Sequence, residues 1–181
     1  GFESLFRSDH FVNPDGPHLE SLDLWVSLSW LADNTQHINF GSLVTPMSFR
    51  HPVHTARMAK DLDKLSDGRM ELGVGAGWQE REHEMFGFDL LDIRSRFDRF
   101  EEGVEVINRL LESSEPVSYD GEYYQLNEAM LGPSTSNTHN VDPIIGGNGE
   151  SRTLPLAAEY ASEWNGVHLS PAEFAELNDS L

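Results

Sequence analysis

The chain has 181 residues, no cysteine, and 12 Lys and Arg against 31 Asp and Glu, for a formal net charge of -19. Without cysteine there is neither a disulfide scaffold nor thiolate or Cys-zinc chemistry, and so acidic a surface repels phosphate backbones and anionic lipid headgroups, which argues against nucleic-acid and membrane partners. No apolar run approaches the roughly 20 residues of a bilayer span and no basic, apolar signal opens the chain, so a cytoplasmic protein is expected. Lys60 and Lys64 are the only lysines, a bias that suits a protein adapted to salt.

In chain order, Glu3 to Ser8 alternates as a strand, and Leu19 to Ala32 carries Leu22, Trp25, Val26, Leu28 and Leu31 near helical spacing. Ile38 to Val44 reads as a strand stopped by Thr45-Pro46. Pro52 then opens a helix that Asp67-Gly68 closes. Met70 to Gly75 reads as a buried strand, Gln79 to Met85 as a short charged helix with a solvated face, and Arg94 to Leu111 as a long amphipathic helix. Pro116 to Leu126 signals a hairpin, with Asp120-Gly121 as a two-residue turn. Asn127 to Asp142 is loop-like. Pro143 to Gly147 is a strand, Glu150 to Tyr160 a helix, Ala161 to Gly166 a strand edge, and Ser170-Pro171-Ala172-Glu173 a capping box that starts a last helix.

Strands alternating with helices on short connections predict an α/β fold with a parallel sheet, either doubly wound or closed as a barrel, in one domain over 1–181 with the hairpin as an insertion. In both architectures ligands gather beyond the carboxyl ends of the strands. The junctions there are Ser8-Asp9-His10, Val44-Thr45-Pro46, Gly75-Ala76-Gly77-Trp78, Gly146-Gly147-Asn148-Gly149 and Trp164-Asn165.

His10, just past a strand end and titratable near neutrality, is the candidate for proton transfer; neighbouring Asp9, pointing to the other side, is expected in a supporting hydrogen bond. Gly73 and Gly75 either leave room within a tightly packed strand or let a planar ligand approach the backbone. The spacing of Gly73, Gly75 and Gly77 does not fit a dinucleotide fingerprint. Gly146 to Gly149 either offers backbone N–H groups to a phosphate or forms an ordinary helix-start turn. His51, His54 and His83, the last among Glu80, Glu82 and Glu84, are read as solvated side chains, and no metal site is expected.

Ser8-Asp9-His10-Phe11, Gly41 to Pro46 with Phe49-Arg50-His51-Pro52, Leu65 to Arg69, Leu72 to Trp78 with Glu80-Arg81-Glu82, and Arg96-Phe97 occur in that order, followed by Pro143 to Gly149, Arg152-Thr153-Leu154 and Trp164-Asn165. The series resembles the luciferase-like monooxygenase family, especially its deazaflavin-dependent branch. The resemblance implies a partial (β/α)8 TIM barrel, strands two to six with a hairpin insertion, truncated at both ends and homodimeric when full length.

It further implies an oxidoreductase that moves a hydride between the deazaflavin coenzyme F420 and a small organic substrate. An FMN-dependent monooxygenase using molecular oxygen is the alternative, and a non-catalytic cofactor-binding barrel a further one. On the family pattern His10 is the acid or base. Asp9, Ser42, Leu43, Thr45, Gly75, Ala76, Gly77, Gly146 and Gly147 line the cofactor site, with a cis peptide expected at Ser42-Leu43. Sugar-phosphate and alcohol dehydrogenases of that branch have a carboxylate where this chain has Trp78, and a Trp where it has Pro14. A Trp78 wall suits a flatter, more apolar substrate.

Overall fold

A computed structural model describes residues 1–15, 20, 22–132 and 141–181. Five parallel strands follow one another across the main sheet in chain order: β1 (Ser4–Arg7), β2 (Asn39–Pro46), β3 (Met70–Gly75), β6 (Pro143–Gly146) and β7 (Glu163–Asn165). That order decides between the two architectures left open by the sequence. A doubly wound sheet reverses its strand order at a switch point, whereas here the order never reverses, so right-handed crossovers keep every helix on one side. The sheet curls into about half of a barrel.

Helices α1 (Leu24–Asn34), α2 (Pro52–Ser66) and α5 (Thr153–Tyr160) connect successive strands, and the β3 to β6 connection holds α3 (Glu80–Phe86), α4 (Ile93–Glu112) and the antiparallel pair β4 (Val117–Asp120) and β5 (Gln125–Ala129). Helix α6 (Pro171–Asn178) follows β7. The amphipathic face of α4 buries Phe100, Val104, Ile107 and Leu110 in the same core as Leu28 of α1, Ala59 of α2 and the strand residues Phe40, Leu72 and Ile145. Fully burying one such aliphatic or aromatic side chain contributes about 1.5–3 kcal/mol, so this layer between sheet and helices dominates the fold's stability.

Polar clamps set the helix ends. Asp67 adopts a left-handed conformation at φ 59° and Gly68 N–H donates to Asp63 O at 2.9 Å, a six-residue closure that ends α2. Arg69 then reaches back with its Nη1 to Thr35 Oγ1 at 2.7 Å and Ile38 O at 2.8 Å, and with Nη2 to Ala32 O at 3.0 Å. One guanidinium thereby satisfies carbonyls left open at the end of α1 and fixes where β3 begins. The expected capping box is present at α6, with Ser170 and Glu173 bonded reciprocally.

Several expectations shift. The first helix starts at Leu24 and runs to Asn34, and part of its expected N-terminal stretch lies outside the described residues, as do residues 133–140 of the loop expected from Asn127 to Asp142, whose first three residues instead belong to β5. The helix after Gly149 begins at Thr153 rather than Glu150. In the hairpin Asp120 pairs with Gln125, so four residues rather than two make the connection. Its carboxylate partner explains this: Glu102 of α4 accepts the N–H groups of Glu122 at 2.8 Å, Tyr123 at 2.9 Å and Tyr124 at 3.2 Å. A side chain on Gly121 would meet Glu102 Oε2 at 2.3 Å, so the glycine serves close approach rather than a positive φ.

The non-proline cis bond lies between Leu43 and Val44, one residue beyond the expected Ser42-Leu43 bond. The register explains the position. Pairing with β3 runs Ser42 to Leu72 and then resumes at Thr45 to Val74, so Leu43 and Val44 together form the bulge and the bond lies inside it.

Candidate functional site

The carboxyl ends of β1, β2, β3 and β6 meet at one rim of the half-barrel. Directly after β1 the chain turns Asp9 and His10 to different partners, as adjacent extended residues must. Asp9 is buried: its carboxylate pairs with the Arg50 guanidinium and accepts Thr45 Oγ1–H at 2.5 Å. Arg50 also lies over the Trp25 ring at 5.9 Å. Asp9 therefore ties β1 to β2 through charge-assisted bonds and makes no bond to His10.

His10 is half-buried, and its support comes from elsewhere. Its Nδ1 lies 2.8 Å from Glu82 Oε1, and Phe11 N–H donates to Glu82 Oε2 at 2.9 Å. Glu82 is 1% exposed and neighbouring His83 3%. Both were expected on a solvated helix face, and both instead point inward from α3. Gln79, Glu82 and His83 stand at i, i+3 and i+4, a one-face spacing that charged neighbours on a seven-residue helix conceal. His83 Nδ1 meets the Gln79 carbonyl and its Nε2 meets Ser48 Oγ, each at 2.7 Å, so Nδ1 carries the proton and Ser48 donates to Nε2.

The segment after His10 is held by the same helix end. Gln79 Nε2 donates to Val12 O at 3.1 Å and Arg81 Nη1 to Asn13 O at 3.4 Å. Phe11 stacks among Phe49, Phe86 and Phe88 at centroid distances of 5.1, 4.9 and 5.2 Å. Trp78, 61% exposed, meets the His10 ring edge-on at 5.9 Å and 84°. His10 and Trp78 thus share one wall of the rim.

The other candidate residues divide by what their atoms already touch. Ser42 is fully buried, donating to Gly73 O at 2.7 Å and accepting Gly73 N–H at 3.0 Å. The space above Gly75 and Gly146 holds Val44, whose methyl groups would lie 2.7 and 2.8 Å from added Cβ atoms, which favours the packing role for Gly75. Gly147 N–H donates to Asn165 O at 3.1 Å and its carbonyl accepts Trp164 Nε1–H at 2.7 Å, so its backbone is engaged within the sheet end. Gly77 turns out of β3 at φ 92° and its carbonyl accepts Arg96 Nη1 at 3.2 Å, a role for Arg96 that only the fold discloses. Leu43, Val44, Ala76 and Gly77 remain half-exposed at the rim. They offer an apolar, incompletely covered floor that suits one face of a flat ring.

A family model described as luciferase-like monooxygenase matches residues 1–181. The chain is 31% identical over 182 residues to the F420-dependent hydroxymycolic acid dehydrogenase of Mycobacterium tuberculosis, covering 99% of this chain and 47% of that protein. It is 34% identical over 131 residues to the 4-hydroxyprotoasukamycin monooxygenase of Streptomyces nodosus subsp. asukaensis, covering 72% of this chain and 34% of the relative. The structure of an F420-dependent secondary alcohol dehydrogenase in complex with an F420-acetone adduct superposes with a TM-score of 0.86 at 25% identity, over 99% of this chain and 55% of the other. The chain thus spans about half the length of such relatives or less. Its half-barrel is the corresponding part of a TIM barrel.

Proposed function

The chain belongs to the luciferase-like monooxygenase family, and on that premise we propose that its rim forms one side of the active site of a deazaflavin-dependent oxidoreductase acting on a small organic substrate. Coenzyme F420, when bound, supplies the hydride chemistry, taking up or giving out two electrons with one hydrogen. The half-exposed Leu43, Val44, Ala76 and Gly77 would hold its ring, with Asp9, Ser42, Thr45, Gly75, Gly146 and Gly147 shaping the floor from behind. His10 handles the proton: as an alcohol C–H hydrogen leaves with its electron pair, the hydroxyl proton passes to His10 Nε2 and a carbonyl forms. Run backwards, the protonated ring returns it. Trp78, projecting beside His10, favours a flat, apolar substrate face over a sugar phosphate.

The observation that carries this reading is the His10 ring itself. It stands at a strand end on the rim, its Nδ1 is held by a buried carboxylate, and Nε2 has no hydrogen-bond partner among the described residues. The relative named as a monooxygenase supports a second reading, in which FMN and oxygen replace the deazaflavin. Titrating the intact protein with coenzyme F420 and with FMN, and following absorbance under anaerobic and aerobic conditions, separates the two. Binding of F420 with oxygen-independent reduction by a flat, apolar secondary alcohol such as 1-phenylethanol is expected. FMN binding with oxygen-dependent turnover would replace that reading by the second.

A further inference from the structure

We infer that Glu82 is the positioning residue that sets the tautomer of His10, keeping the proton on Nδ1 and the lone pair on Nε2. The inference rests on the proton role given to His10 above, and it follows from a count of donors and acceptors. Among the described residues each Glu82 oxygen has one partner: Oε2 accepts the Phe11 backbone N–H at 2.9 Å and Oε1 faces His10 Nδ1 at 2.8 Å. A carboxylate only accepts, and an imidazole holds a proton more tightly than a carboxyl group, so the hydrogen between them resides on Nδ1. Nε2 is then the accepting nitrogen, the form needed to take a proton from a substrate hydroxyl. The opposite tautomer would present an N–H there and could take none.

Burial makes the arrangement selective. Glu82 is 1% exposed, so no bulk water competes for its oxygens, and α3 fixes it together with Gln79 and Arg81, which hold Val12 and Asn13. Among the described residues the carboxylate has no other hydrogen-bond partner that would account for its burial. Its two bonds both go to the residue pair His10-Phe11, so it sets the ring's protonation pattern and its position with one group.

Glu82→Gln provides a nearly isosteric test with a predictable outcome. A Gln side chain has one acceptor oxygen. The Phe11 N–H can only donate, whereas the His10 ring can exchange tautomers, so the amide oxygen goes to Phe11 and the amide NH2 faces Nδ1. Nδ1 must then accept, which moves the ring proton to Nε2. In the intact protein with 15N-labelled histidine, ring spectra at neutral or higher pH should show His10 protonated at Nδ1 in the wild type and at Nε2 in Glu82→Gln. Alcohol oxidation by Glu82→Gln should fall about 10²-fold or more, the lower range for losing a general base, with cofactor affinity retained; Glu82→Asp, which keeps two acceptors, should preserve the wild-type tautomer.

A wild-type ring protonated at Nε2, or a Glu82→Gln ring still protonated at Nδ1, overturns the inference. The wild-type spectrum decides even where a variant does not fold. Failure of the wider reading shows up separately, as a His10→Ala protein with unchanged hydride transfer beside the expected tautomers.

Discussion

Replacing Asp9 by Asn takes the buried carboxylate from the Arg50 guanidinium, leaving it only the exposed Asp23 carboxylate at 3.6 Å among the described residues, and Thr45 loses its charged acceptor as well. Breaking a buried pair from one side costs about 3–5 kcal/mol, much of it from the charge left behind. With Asp23 still beside Arg50, urea unfolding of Asp9→Asn should show a loss near the lower end of that range, and a change below about 1 kcal/mol would mean that Asp9 holds nothing together. His51 gives a pH-dependent counterpart. Its Nδ1 accepts the Val53 N–H at the start of α2, and loss of solvent around the ring, with His54 nearby, lowers its pKa from 6.5. The folded state then binds fewer protons than the unfolded chain below that value. This cap's contribution is full above the unfolded pKa and fades as pH falls through the window beneath it. His51→Asn, which keeps an acceptor without titrating there, should unfold with a shallower loss of stability between about pH 7 and 5 than the wild type.

Connections and helix faces depend on partners distant in sequence. Glu102 gathers three successive N–H groups of the hairpin loop, so Glu102→Ala should speed hydrogen exchange at Tyr123 and Tyr124 while leaving the β3 amides protected. Exchange unchanged at the loop would show that the carboxylate is incidental. The same hairpin separates locally encoded shape from shape imposed at a distance. Helices α2, α4 and α6 announce themselves through Pro at the first turn, a 3.6-residue apolar period and a capping box, all local signals. The hairpin loop does not, because its shape is imposed from 20 residues away. Likewise His10 is legible as a titratable group at a strand end, while Glu82 is not, since a seven-residue helix is too short for its inward stripe to stand out among charges. Gly75 left two readings open in sequence, and the Val44 side chain filling its space supports the packing one.

At the scale of the molecule, strand alternation predicts the parallel sheet, and the absence of a reversal in its order makes it part of a barrel. Net charge acts at this scale too. With -19 spread over one chain and two lysines in it, self-repulsion is relieved as salt shortens the screening length to about 3 Å at 1 M, so Tm of the intact protein should rise toward molar KCl. A flat or falling Tm would assign the acidity to solubility alone. On the function proposed above, His10 carries the proton of a hydride-transfer reaction at this rim. Single-turnover stopped-flow reduction of coenzyme F420, measured beside a binding titration for wild type and His10→Ala, tests it most directly. The transfer rate of His10→Ala should be lowered by about 10²–10⁴ with cofactor affinity little changed, and an unchanged single-turnover rate would contradict the proton role of His10.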